Sequence, residues 1–292
     1  MTSLPVPLSA AWQPTVWRGE PSWQAALGRA LAVVTTTRAR LIYLGALDGS
    51  RNLLNAPYPH VLPSAQSPWP NQGGHRFWLG PQSNWVWPPP AQWEYSAAAA
   101  SSTEGDTLTL RLPGSDPAYP AITREYAWTA KGLRCTARWR DDGRQLFGMH
   151  VIAVDLPFIA TARLHQSPEA PLGLVQVNLH GAASSGFLPH PALTCDTAQA
   201  TLRAGEKVIK VGFASQPLTV DRPGGWQLSL RPGPTEGTTY DAPDKNYLSQ
   251  IWVGGPEYDL AELEQLTPYL RGDATGACAS SVFLAATPPA DA

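Results

Sequence analysis

Short segments of alternating apolar and polar residues recur along the chain, and they constrain its fold more than any other feature. In residues 121–140, AITREYAWTAKGLRCTARWR, two such segments flank the dipeptide Lys131-Gly132. Because successive side chains of a strand point to opposite faces, this pattern predicts a β-hairpin with a two-residue turn. Segments at 38–55, 75–80, 106–114, 205–233 and 247–270 carry further strand signals. The sequence therefore predicts an all-β fold.

Helical signals are few. Residues 21–34 fit either a short helix or a strand that begins near Leu31, and DLAELEQL at 259–266 also has helical propensity, so both alternatives stay open. SAAAASS at 96–102 predicts a flexible loop. No shift in composition marks a domain boundary. We therefore expect one domain over residues 1–292, with a core at 25–287. It should be a large antiparallel β-sandwich of roughly 15 or more strands in two facing sheets.

The charge balance excludes several classes of partner. The chain has 21 basic and 23 acidic residues, which leaves no basic stripe for nucleic acid. No apolar run approaches the roughly 20 residues of a membrane-spanning helix. The N-terminal segment has no Lys or Arg and three prolines by Pro14, unlike a secretory signal. We expect a cytoplasmic protein, or a periplasmic one if a leader has been removed.

Metal and cofactor motifs are missing from the sequence. Cys135, Cys195 and Cys278 are widely spaced and form no CxxC pair, so we expect separate, mostly buried thiols in a reducing compartment. The chain has no HExxH, phosphate-loop, GxSxG or dinucleotide-binding motif. The sequence therefore predicts no required metal and no cofactor.

Residues 73–93 combine glycine, charge and tryptophan. GGHRFWLG at 73–80 is followed by NWVWPPPAQW, with tryptophans at positions 78, 85, 87 and 93. Indoles pack on the apolar face of a sugar ring and their N–H can reach a hydroxyl, so we expect this segment to line a carbohydrate pocket. The candidates are His75, Arg76, Trp78 and Trp87. His75 and Arg76 are neighbours on a strand, so only one of them should face a given cleft.

Several stretches, taken in order, resemble the galactose mutarotase-like superfamily, the large β-sandwich of the aldose 1-epimerases. GGHRFWLGPQ followed by WPPP at 87–90 is similar to the GG-x-[basic]-x-W-x-x-P and WPP pattern of a bacterial branch of that superfamily. RLIYLGALDGSRNLLN, EYAWTAKGLRCTARW and YDLAELEQLTPY resemble further stretches, and the likeness covers residues 30–285.

This resemblance implies a chemistry. Aldose 1-epimerases open a sugar ring with a carboxylate that takes the proton of the anomeric hydroxyl and a histidine that protonates the ring oxygen. The matching positions are His150 in RQLFGMHVIAV as the acid and Glu264 in LEQLTP as the base. Glu262 shares the face of Glu264 and is an equal candidate. Arg76 corresponds to the family's sugar-binding arginine, while the Asn and Tyr-Phe-Asn residues expected around His150 are missing.

Other readings of these residues remain open. Asn178 and His180 in VQVNLHG are further candidates for sugar contact. Any of the tryptophans and histidines could instead pack in the core, and the two glutamates could lie on a solvated face. Arg124, Arg138 and Arg140 are expected on a solvated sheet face. The expected function is an aldose 1-epimerase-like isomerase of a small carbohydrate. The alternatives are a carbohydrate-binding β-sandwich without turnover and a structural module.

Overall fold

The computed structural model describes residues 10–65, 69–85, 87–163, 174–176, 184–185, 191–195, 199–205, 208–213 and 217–290. These residues form 23 strands, one four-residue α-helix (α1, Ala91–Glu94) and four short 3-10 turns (Gln82–Asn84, Pro223–Gly225, Asp244–Asn246, Gly255–Glu257). The all-β prediction is confirmed. No helix in this part of the chain is long and apolar enough to cross a bilayer.

The described strands form four antiparallel sheets. The first four strands make an N-terminal sheet: β1 (Gln13–Trp17), β2 (Glu20–Leu27), β3 (Ala30–Thr35) and β4 (Arg40–Ala46). A seven-stranded sheet has the spatial order β13 (Ser184–Ser185), β12 (Leu174–Gln176), β16 (Ile209–Phe213), β20 (Ser249–Val253), β21 (Leu260–Leu266), β10 (Phe147–Asp155) and β5 (His75–Gly80).

The largest sheet has ten strands. Its spatial order is β14 (Leu193–Cys195), β15 (Gln199–Ala204), β11 (Phe158–Arg163), β17 (Leu218–Arg222), β18 (Trp226–Glu236), β23 (Ala277–Thr287), β9 (Gly132–Arg140), β8 (Thr123–Thr129), β7 (Thr107–Arg111) and β6 (Ala100–Glu104). A two-stranded ribbon joins β19 (Thr238–Thr239) to β22 (Leu270–Arg271).

The main core lies between the seven-stranded and ten-stranded sheets. Ile152 and Leu263 come from the first sheet, Leu230 and Val282 come from the second, and all four belong to one buried cluster. Each such side chain contributes about 1.5–3 kcal/mol when it is fully removed from water. The two expected facing sheets are therefore present, and the interior-facing residues alternate with residues that point away from the core.

The predicted hairpin at 121–140 is present, with one correction to its turn. Thr129 pairs with Gly132, so the turn residues are 130 and 131, one position earlier than expected. A second correction concerns Arg124, which is fully buried instead of solvated. Its guanidinium donates hydrogen bonds to the carbonyl oxygens of Ala39 at 2.9 Å and Trp93 at 2.7 Å. Burial lowers the pKa of Arg124 to about 10.

The ambiguous segments resolve as strands. Residues 21–34 form most of the β2–β3 hairpin, whose turn includes Gly28 at a φ of 59°. Residues 260–266 form β21 instead of a helix. The strand signal of residues 38–55 is confirmed only in part, because β4 ends at Ala46 and beyond it one isolated bridge joins Gly45 to Asn52. The loop expected at 96–102 is wrong in part, because the exposed edge strand β6 begins at residue 100.

Candidate functional site

The register of three neighbouring strands sorts the candidate residues onto two faces of the seven-stranded sheet. Val151 of β10 pairs with Arg76 of β5 and with Glu264 of β21. Directly paired residues point to the same face, and alternation places Glu262 there as well. We call this side, which points away from the ten-stranded sheet, the outer face.

Arg76 is the central charge of the outer face. Its guanidinium is fully buried and forms an ion pair with Glu262. It also lies over the rings of Trp69 and Trp78, at 5.5 and 5.2 Å from the ring centroids. Within the described part of the chain, its Nε and Nη1 groups have no hydrogen-bond partner. A buried guanidinium with unused donors is suited to bind an oxygen-rich ligand.

Glu264 forms the second ion pair of this face. Lys210 Nζ, from β16, donates to both carboxylate oxygens of Glu264, at 2.9 and 3.0 Å. Burial is the largest single effect and would lower the pKa of Lys210, but the charge and hydrogen bonds of Glu264, together with the charges of Asp244 and Glu262, outweigh it and raise that pKa. Burial raises the pKa of Glu262, the charge of Glu264 adds to this rise, and Arg76 opposes it. The two glutamates of β21 thus lie between Lys210 of β16 and Arg76 of β5.

Four indoles pack together, and two of them, Trp69 and Trp78, contact Arg76. We call Trp69, Trp78, Trp85 and Trp87 the tryptophan cluster. Trp87 lies 4.8 Å from Trp69, 6.3 Å from Trp78 and 6.4 Å from Trp85 between ring centroids. Trp87 is 48% exposed, whereas Trp78 is buried. The cluster therefore presents one accessible indole beside the buried guanidinium.

A buried carboxylate holds this cluster in place. Glu94 of α1 accepts a hydrogen bond from Trp78 Nε1 at 3.0 Å and from Arg40 Nη1 at 3.1 Å. The side chains of Glu94 and Arg40 are both completely buried. By contrast, Trp93 donates to the carbonyl oxygen of Pro120 at 3.0 Å and packs in the core. Trp93 is therefore a structural tryptophan.

More polar atoms around the outer face lack partners. Among the described residues these are the indole nitrogens of Trp69 and Trp252, the side-chain oxygen of Gln250 and the hydroxyl of Tyr95. Gln250 and Trp252 pair with Glu264 and Glu262 across β20 and β21. An unsatisfied buried polar atom costs about 1–3 kcal/mol. Trp69 contacts Arg76, and Gln250 and Trp252 lie beside the two glutamates, so the outer face holds hydrogen-bonding groups that a ligand or water can complete.

The two histidines lie on the opposite, interior face. His150 Nδ1 is 3.0 Å from His75 Nε2, and the two rings stack at 5.2 Å. The other nitrogen of His150, Nε2, is 2.9 Å from Ser280 Oγ of the facing sheet. Burial lowers the pKa of His150 to about 3 and that of His75 well below its ordinary value. The expected imidazole and carboxylate facing each other across a sugar are therefore not formed by His150 and either glutamate.

The sequence predicts that His75 and Arg76 point to opposite faces of the sheet, but it does not show which face His150 occupies. The residues that follow it, VIAV, are apolar on both faces, so alternation does not distinguish the two sides. Lys210 and Gln250 were missed, although each is a polar residue within an apolar strand. Asn178 and His180 lie outside the described residues. The described residues include no group of three metal-ligating side chains.

Comparison with known proteins shows similarity in structure. The chain matches no protein-family profile and no curated protein by sequence. A galactose mutarotase-like protein from Lactobacillus casei ATCC 334 superposes with a TM-score of 0.56 at 11% identity, covering 91% of this chain and 100% of that one. An Escherichia coli K12 protein provisionally assigned as an aldose 1-epimerase gives 0.55 at 13% identity, over 90% and 98% of the two chains.

A galactose mutarotase related enzyme from Lactobacillus acidophilus gives a TM-score of 0.54 at 8% identity, over 91% of this chain and 98% of that one. These matches run over nearly the whole length of both partners, so they compare complete architectures and not a shared fragment. At identities this low the likeness is one of fold: the chain is a β-sandwich with the galactose mutarotase-like fold.

Proposed function

We propose that the outer face of the seven-stranded sheet binds a carbohydrate. The observation that carries this proposal is the convergence of Arg76, Glu262, Glu264 and Lys210 beside the tryptophan cluster. A sugar presents hydroxyl groups that both donate and accept, together with an apolar ring face. The paired charges and the N–H groups without an acceptor can form hydrogen bonds with the hydroxyl groups, and an accessible indole can pack on the ring face.

The fold supports the same proposal. Three structural neighbours have names that refer to galactose mutarotase or aldose 1-epimerase. A shared fold does not by itself carry function, so the assignment rests on the side chains of this chain. Those side chains lie on β16, β21 and β5, which are alternate strands of one sheet with β20 and β10 between them, and a sheet is a rigid platform for binding.

The binding test uses Trp87, because its exposure lets it be removed with little damage to the fold. We expect Trp87→Ala to weaken sugar binding by about tenfold, equivalent to about 1.4 kcal/mol. Saturation-transfer NMR and calorimetry with glucose and galactose measure this. Tyr240→Ala is the matched control, since Tyr240 is 51% exposed and belongs to the two-stranded ribbon region. Equal affinities of Trp87→Ala and wild type would contradict the proposal.

A second candidate function is interconversion of sugar anomers by the two carboxyl groups. The observation that favours it is the placement of both carboxyl groups on the outer face, two residues apart on β21, and burial, which Arg76 opposes, shifts the pKa of Glu262 upward. Glu264 would take the proton of the anomeric hydroxyl while Glu262 protonates the ring oxygen, and the bond between the anomeric carbon and the ring oxygen breaks. Rotation of the aldehyde and the reverse transfers give the other anomer.

Polarimetry of freshly dissolved α-glucose and α-galactose tests the second candidate. The wild type should speed mutarotation, and Glu262→Gln should abolish the effect because an amide cannot donate the acid proton. His150→Gln should retain activity, since His150 faces the interior. Mutarotation rates equal with and without protein would remove this candidate for both sugars and leave the binding proposal in place.

A further inference from the structure

A second surface depression adjoins the proposed sugar site. It has a volume of about 380 Å³ and is lined by polar side chains, by three prolines and by a valine. The polar side chains are those of Asn55, Asn71, Tyr258 and Asp259. Small-molecule sites of known proteins have volumes of about 300–1,000 Å³. We call this depression the side groove, and nothing in the proposed function uses it.

The side groove connects to the outer face on two sides. Pro70 and Asn71 directly follow Trp69, whose ring contacts the Arg76 guanidinium. On the other wall, Tyr258 packs edge-on against Trp252 at 5.3 Å between ring centroids. Trp252 in turn pairs with Glu262 across the strands. The side groove therefore adjoins the outer face at the end of the sheet where the chain passes from β20 to β21.

Two amide side chains of the side groove are held in fixed orientations. Asn55 Nδ2 donates to Asp155 Oδ1 at 2.6 Å, and Asn55 Oδ1 accepts from Asn71 Nδ2 at 2.9 Å. Asn71 Oδ1 accepts from the backbone N–H of Gly73 at 2.8 Å. Each of these amide nitrogens carries two hydrogens, and within the described residues each nitrogen donates to one acceptor. The remaining donors and lone pairs are oriented before a ligand arrives, which reduces the entropic cost of binding.

The chemistry of the walls selects the kind of ligand. Neutral amides, a phenol and a carboxylate offer hydrogen bonds to hydroxyl groups, while the prolines form a stiff apolar wall. Tyr258 is 38% exposed and can cover one ring face of a sugar. The described residues that line the groove include no Lys or Arg, and Asp259 adds a negative charge, so a phosphate group is disfavoured there.

We propose that the side groove is a second saccharide subsite, so that this chain binds an unphosphorylated oligosaccharide in preference to a single sugar. The inference rests on the proposed function, because the first sugar unit occupies the outer face beside Arg76. The next unit then lies between Asn71 and Tyr258. The polar wall orients its hydroxyl groups, and the phenol ring packs on its apolar face.

The test compares sugars of different length on the wild type. Calorimetry is run with glucose, galactose, maltose, lactose, cellobiose and maltotriose. We expect at least one oligosaccharide to bind about tenfold more tightly than its monosaccharide, equivalent to about 1.4 kcal/mol. Tyr258→Ala should remove most of this gain while monosaccharide affinity stays within about twofold. Tyr240→Ala, another exposed tyrosine, is the matched control.

A second variant tests the subsite even if Tyr258→Ala fails to fold. Asp259 has a positive φ of 49°, a conformation that asparagine also tolerates, so Asp259→Asn keeps the backbone and removes only the charge. It should also weaken oligosaccharide binding selectively. The subsite is refuted if monosaccharides bind as tightly as oligosaccharides, or if both variants bind oligosaccharides as the wild type does. If the wild type binds none of these sugars, the proposed function is refuted and the subsite with it.

Discussion

Acidification should destabilise this protein through its interior histidines. The pKa of His150 is about 3 in the folded state, compared with an ordinary value of 6.5. Burial is the main cause, because a charged imidazole between the two sheets would lose its water. In the unfolded chain the same group takes up a proton below pH 6.5. The stabilising contribution of neutral His150 is therefore fully present above pH 6.5 and is lost as the pH falls toward 3.

The magnitude follows from the size of this shift. Each pH unit below the unfolded pKa costs about 1.36 kcal/mol while the folded group stays neutral. At pH 5, about 1.5 units below that value, His150 should lower the free energy of unfolding by about 2 kcal/mol relative to neutral pH. His75 acts in the same direction, since burial and the nearby positive charges of Arg124, Arg40 and Arg76 lower its pKa.

Urea denaturation at pH 7 and pH 5 measures this effect. The wild type should lose at least about 2 kcal/mol more between the two pH values than His150→Gln, whose amide can still bond to Ser280 but does not titrate. His60→Gln is the control, because His60 is a partly exposed histidine beside Glu20. The reasoning fails if wild type and His150→Gln lose the same free energy, or if His60→Gln removes as much of the loss.

Two further predictions concern the scaffold. Gly73 has a φ of 60°, and an added Cβ would lie 2.1 Å from the backbone oxygen of Asn55. Gly73→Ala should therefore lower the free energy of unfolding by about 2–4 kcal/mol in urea titrations, while Gly205→Ala, which meets no neighbour, should cost less than 1 kcal/mol. Burial raises the pKa of the Cys278 thiol to about 11, and Cys135 is also buried. In a Cys195→Ser background, both thiols should react with a disulfide reagent only after denaturation, and rapid labelling of the folded protein would contradict this.

Most of the fold can be predicted from the sequence because the alternation of apolar and polar residues along a strand is a local signal. The segments around β5, β8, β9 and β20 carry clear alternation or turn residues, and each forms a strand. Arg124 was misjudged because alternation places it with Tyr126 but does not say which face is covered. The carbonyl groups of Ala39 and Trp93, distant in sequence, satisfy its charge.

For a related reason, only some residues of the candidate site can be predicted from the sequence. Arg76, Glu262 and Glu264 were chosen from motif positions, and the structure brings them to one face. Lys210 was not anticipated, because its partner lies 54 residues away and no local pattern links the two. The orientation of His150 depends on pairing with β5 and β21, which a single sequence does not reveal.

The interior position of His150 has a consequence for how such a protein gains or loses catalysis. Side chains of a strand exchange sides with every step along the backbone, so inserting one residue into β10 ahead of Met149 would swing the imidazole outward to the place now held by Val151. The same shift would place Met149 where His150 now lies, beside Ser280 of the facing sheet. Insertion or deletion of a single codon in β10 could thus add a proton donor to the outer face or remove it, without any amino-acid substitution.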